Sequence, residues 1–97
     1  MNIKANMRVD FDSIKNTSTV ATGWVEIEGI FKFPVSVRKW LDDKSGKEMM
    51  FVSYPQRKDG DKYSGVVYPH DREVRNEIDR VVLEVTKKSF LQKVYRM

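Results

Sequence analysis

The sequence predicts an α+β fold, a small antiparallel β-sheet of about five strands followed by one long C-terminal helix. Three observations predict it. From Ser18 to Leu41 β-rich residues alternate with period two around a Glu28-Gly29 turn, and two further short β-rich runs follow between polar loops. Beyond Pro69-His70 the apolar spacing changes to that of a helix.

The first strand is expected over Ile3 to Phe11, closed by Asp12-Ser13-Ile14-Lys15-Asn16 as a polar turn or loop. In the second, Ser18 to Glu28, Val20, Thr22 and Trp24 fall on one face and Ala21, Gly23, Val25 and Ile27 on the other. Glu28-Gly29 turns the chain into a third strand, Ile30 to Leu41, with Phe31, Phe33, Val35 and Val37 in period two. Pro34 removes one ladder donor and marks an edge, a bulge or a local break. Asp42 to Glu48 reads as a charged loop, Met49 to Tyr54 as a short strand ended by Pro55, and Tyr63 to Tyr68 as a fifth strand after the loop at Asp59-Gly60.

Asp71 is placed to cap the helix. At about 100° per residue, Val74, Ile78, Val81, Val82 and Val85 form a stripe that should cover the sheet. Leu83, Phe90 and Val94 point nearly the other way if the helix is unbroken. Either it breaks near Lys87-Lys88-Ser89 or a partner covers this second face, which makes Leu83, Phe90 and Val94 the candidate interface of a homodimer.

Ninety-seven residues fit one domain with a modest core. No apolar run approaches the roughly 20 residues that cross a bilayer, and the start lacks a secretory pattern, so a cytoplasmic location and no membrane partner are expected. The absence of cysteine excludes disulfides, thiolate metal sites and cysteine nucleophiles. All fourteen acidic residues precede position 85, whereas the remainder holds Lys87, Lys88, Lys93 and Arg96, so the net charge of +4 lies in a basic extension from about residue 87. A polyanion would meet that end first.

Catalytic signals are missing. His70 is the only histidine and stands alone at a helix start, where a capping or surface role is the ordinary one. Asp42-Asp43 and Asp59-Gly60-Asp61 lie beside Lys44, Lys58 and Lys62 and read as solvated turns; no calcium loop or phosphate-binding glycine loop is formed. No enzyme activity, cofactor, metal or small-molecule substrate is expected. The strand spacing of Trp24, Phe31, Phe33, Trp40 and Phe51 favours core packing over a base-stacking platform, with Trp40, beside Arg38-Lys39, left open as a contact residue.

Phe51-Val52-Ser53-Tyr54-Pro55-Gln56-Arg57-Lys58, then Asp59-Gly60, Tyr63 and Val66-Val67-Tyr68-Pro69, resembles the signature of the stage V sporulation protein G family of septation regulators. A weaker correspondence runs back through Val20-Ala21-Thr22, Gly29 and Val35-Ser36-Val37-Arg38, and forward to Arg75 and Ile78. This chain departs at Tyr54 (methionine in the family), at Tyr68 (histidine), in the one-place shift of His70, in a longer loop before Phe51 and in its extension to Met97. The resemblance implies a small dimeric regulator that binds DNA or RNA without enzyme activity, through basic residues of the helix and the loop before it. Arg57, Lys58 and Arg75 match basic positions of that pattern, and Lys62, Arg72, Lys87 and Lys88 are additions of this sequence.

The expected contact surface therefore joins Arg57 and Lys58 to Arg72 and Arg75 beside the helix N-terminal amides, with help from Lys62, Lys87 and Lys88. The competing reading is a non-catalytic adaptor whose sheet edge and helix dock a regulatory protein.

Overall fold

The computed structural model describes residues 1–65 and 67–96, the side chains of Arg57, Lys58, Asp59, Tyr63, Ser64 and Arg96 excepted. Strands β1 (Ile3–Val9), β2 (Thr19–Ile27), β3 (Phe31–Leu41) and β4 (Glu48–Ser53) form an antiparallel meander in the order β1-β2-β3-β4. A separate hairpin, β5 (Gln56–Asp59) and β6 (Lys62–Gly65), precedes the single long helix. A short helix, α1 (Phe11–Asn16), joins β1 to β2, and α2 (Arg72–Arg96) ends the chain. The α+β class holds, but the sheet has four strands instead of about five. Tyr54 and Pro55 separate β4 from this hairpin, and the segment expected as the fifth strand pairs locally, Asp59 against Lys62 across Gly60-Asp61, in place of joining the sheet.

The polar turn expected at 12–16 is α1. Asp10, extended at φ −122, caps it by accepting from the amides of Asp12 and Ser13, so the first strand ends at Val9 and not at Phe11. Phe11 and Ile14 thereby turn back toward the core.

The expected β2–β3 hairpin is present. Glu28 and Gly29 both take left-handed backbone, at φ 56 and 66, which matches the turn to the strand twist, and the Ile30 amide donates to the Ile27 carbonyl. Glu28 holds this strained conformation while bonded to the N-terminus: its carboxylate accepts from the Asn2 amide, and its own amide donates to the Asn2 carbonyl. Pro34 sits in the part of β3 that β4 does not reach, because the β3–β4 ladder begins at Ser36, so its missing donor faces an open local edge.

One face of the sheet is covered. Met7, Val9, Ala21, Val25, Phe33, Val35, Val37 and Val52 meet Ile78 and Val82 of α2, both fully buried, in a single core. Val20 joins them, contrary to its expected place beside Thr22 and Trp24: a bulge between Thr19 and Ala21 turns two consecutive side chains inward. The far end of α2 is tied by polar bonds to carbonyls of the edge strand, Ser89 Oγ to Met7 and Lys93 Nζ to Val9.

Among the described residues no element is layered over the opposite face of the sheet. Trp40, left open as a contact residue, and Phe51 are exposed there, and Phe31 is exposed at the end of the helix-side face, so of the four aromatics expected in the core only Phe33 is buried and Trp24 is partly buried. A two-layer domain with one long helix covers one sheet face, and the alternating pattern is silent on which.

Candidate nucleic-acid interface

The helix start is built by Asp71. Its Oδ1 accepts from the amides of Glu73 at 2.8 Å and Val74 at 3.1 Å. Two of the amides expected to receive a phosphate are thus already taken, and Glu73 adds a second negative charge in the first turn. Arg72 is exposed beside them.

Arg75 is engaged within the fold. Its Nε lies 3.9 Å from Asp79 one turn on, and its guanidinium lies 5.7 Å from the centre of the Tyr54 ring, whose hydroxyl donates to Asp79 Oδ1. Tyr54 is thereby a clamp between the end of β4 and the helix. Burial first, then the bond to Asp79 and its charge, push the phenol well above its ordinary value, with Arg75 opposing. The neutral phenol therefore contributes stability fully below about pH 10 and loses it as pH rises beyond that toward the raised native value. Tyr54→Phe should cost about 1 kcal/mol at neutral pH. It should also flatten the fall of the thermal midpoint above about pH 10, measured beside the parent; an equal alkaline fall in both proteins would exclude this linkage.

The loop expected to carry Arg57 and Lys58 is the β5–β6 hairpin. Its base, at Gln56 and Gly65, borders a cleft with Tyr54, Tyr68 and Arg75, so the loop and the helix start are adjacent. The side chains of Arg57 and Lys58 lie outside the described residues. Lys62 is exposed near the hairpin tip, about 10 Å along the strand from its base.

Lys87 and Lys88 are exposed on α2, which is unbroken through the expected break point. At about 1.5 Å per residue they stand roughly 22 Å from Arg72, with Glu77, Asp79 and Glu84 between. Lys93 is bonded to Val9 and lies over the Phe11 ring at 5.7 Å. The expected helix patch is thus divided into two ends.

The candidate dimer residues also part company. Leu83 is partly buried against its own core, and Phe90 meets Phe11 edge-on with ring centres 5.3 Å apart. Val94 remains exposed, next to Leu91 and Tyr95.

Charge gathers instead on the sheet, at residues that the charge balance along the chain does not single out. On the uncovered sheet face the register places Arg8 opposite Thr22, Lys4 and Lys32 on either side of Glu26, and Arg38 opposite Phe51. Lys4, Arg8, Lys32 and Arg38 are all exposed, and none enters an ion pair among the described residues, where only Lys39–Glu48, Arg75–Asp79 and Arg80–Glu84 do. Alternation could have revealed them. Lys4-x-x-x-Arg8 and Lys32 with Arg38 and Trp40 keep one parity within each strand.

The loop at Asp42 is spent on a turn. Asp42 accepts from the Ser45 hydroxyl at 2.7 Å and the Lys44 amide, which hold its carboxyl below the ordinary carboxylate value. Among the described residues no group of three or more His, Asp or Glu side chains could hold a metal, and no helix is long and apolar enough to cross a membrane. His70 is exposed before α2. Comparison with family models, with curated proteins and with solved structures found no match to this chain.

Proposed function

We propose that this protein is a non-catalytic regulator that binds nucleic acid. The observation that carries the reading is the uncovered sheet face, which bears four exposed basic side chains and a single acid, Glu26, flanked by Lys4 and Lys32. Unpaired cations on one face raise the local potential and attract a polyanion, and counterions released by phosphate contacts supply the affinity. Arg72, Lys62, Lys87 and Lys88 extend the basic surface around the rim and the helix side, and Arg57 and Lys58 belong to it by resemblance.

The test is binding of fluorescent DNA and RNA at several salt concentrations. Log affinity should fall linearly with log salt, by about 0.7 to 0.9 in slope for each phosphate contact. A flat response, or no binding at about 50 mM salt, would overturn the reading.

A protein-docking role is the second reading, favoured by the free edge of β4, where Met49, Met50 and Phe51 are exposed with no proline or lysine among them. A homodimer belongs to both readings, through Phe90, Leu91, Val94 and Tyr95 or through that edge.

A further inference from the structure

We infer that the uncovered sheet face is a stacking platform for single-stranded nucleic acid, with Trp40 and Phe51 receiving bases and Lys4, Arg8, Lys32 and Arg38 receiving phosphates. The inference rests on the nucleic-acid reading above and specifies its ligand and its surface.

Trp40 and Phe51 occupy neighbouring strands in the same parity. Phe51 lies opposite Arg38, and Trp40 lies opposite Met49, so the two rings are diagonal neighbours, a relation that puts such positions about 7–8 Å apart. They are 48% and 42% exposed, which leaves a large part of each ring to a ligand. Large aromatic side chains on an uncovered sheet face cost hydrophobic free energy that burial elsewhere in the fold does not return. Base stacking recovers it, and every base offers a π-face.

Arg38 stands beside Phe51 and reaches the backbone of a strand whose bases lie on that ring. At the other end of the face Trp24 is already covered, since the Lys32 ammonium sits 4.2 Å from its ring centre. That end presents a fixed cation to phosphate and no free ring. The two ends are separated by about six residues of β3, or roughly 20 Å, with the small residues Thr22 and Ser36 and the cation of Arg8 between them. A duplex keeps its bases stacked on one another and offers this face only phosphates. A single strand offers both.

Trp24 and Trp40 are the only tryptophans, so intrinsic fluorescence reads the proposal directly. Oligo(dT) and oligo(U) should both quench emission and bind more tightly than a duplex of equal length. Trp24→Phe should retain the quench and Trp40→Phe should lose most of it with affinity nearly kept. Trp40→Ala and Phe51→Ala should each weaken binding about five- to 150-fold, Phe51→Tyr should restore it, and Arg38→Ala should lower the salt slope by about 0.7. Circular dichroism of each variant controls for folding.

Binding without quenching, with duplex preferred, would overturn the platform and leave nucleic-acid binding standing. No binding to any nucleic acid would remove both. If Trp40→Ala and Phe51→Ala instead changed a dimer into a monomer while oligonucleotides left the emission unaltered, the face would belong to a second copy of the chain, and the platform would again be wrong.

Discussion

Gly23→Ala should destabilise the protein by about 3 kcal/mol or more, a large part of the 5–15 kcal/mol that holds a small domain folded. Gly23 lies in β2 opposite Met7 of β1. A Cβ there would stand 1.8 Å from the Asn6 carbonyl oxygen, 2.8 Å from its carbon and 2.8 Å from the Met7 sulfur. The sulfur can swing aside, but the carbonyl belongs to the backbone of the paired strand. Relief requires β1 to move away from β2, which opens the ladder and lifts Met7 and Val9 from the core together. Gly29→Ala is the control, because its added Cβ meets nothing within 4 Å and the cost is confined to a left-handed backbone at φ 66, about 1 kcal/mol. Urea unfolding should place the two midpoints well apart with similar slopes. A loss below about 1 kcal/mol for Gly23→Ala would mean that β1 and β2 are not paired in this register.

Strong local signals were legible in the sequence, and arrangement was not. The Asp71 cap, the Ile78 and Val82 stripe and the Glu28-Gly29 turn each depend on residues a few positions apart, and each is found as expected. Helix α1 escaped because Asp10 before a six-residue segment carries the same chemistry in a turn as in a cap. The bulge that buries Val20 beside Ala21 leaves no mark on a period-two pattern, and one extra residue reassigns a side chain to the other face. The fifth strand, expected over Tyr63 to Tyr68, failed because the loop expected before it, Gln56 to Lys62, supplies a nearer partner: Gln56–Asp59 pairs with Lys62–Gly65 as a local hairpin.

The site was harder still. Charge read along the chain points to the C-terminal end, where Lys93 is in fact bonded to Val9 and the rest is strung along a helix that also carries acids. Charge read across the sheet depends on register, and Lys4 and Arg8 of β1 are brought to one face with Lys32 and Arg38 of β3 only by the β2 strand that pairs with both. The aromatics misled for a related reason. Period two assigns Trp40 and Phe51 to a face, but whether that face is covered depends on how many layers the chain can build.

Ile78→Ala should cost about 3 kcal/mol, within the range of about 2–5 kcal/mol for an isoleucine truncated in a core. Ile78 is fully buried at the centre of the α2 stripe, in one cluster with Val82 and the inward residues of all four sheet strands. It also floors a groove of about 280 Å³ shared with Ile27, Phe31 and Tyr68. Those half-free side chains can lean into the space, which keeps the loss below the upper end of that range. The substitution also separates the two layers functionally. Everything Ile78 touches lies on the helix side, whereas Trp40, Phe51 and the four cations lie on the other, so the milder Ile78→Val should lower the urea midpoint by about 1 kcal/mol equivalent and leave oligonucleotide affinity unaltered. Trp40→Ala should do the reverse, weakening binding with little change in midpoint. A fall in affinity for Ile78→Val equal to that for Trp40→Ala, under conditions where both are folded, would place the contact surface on the helix and not on the sheet.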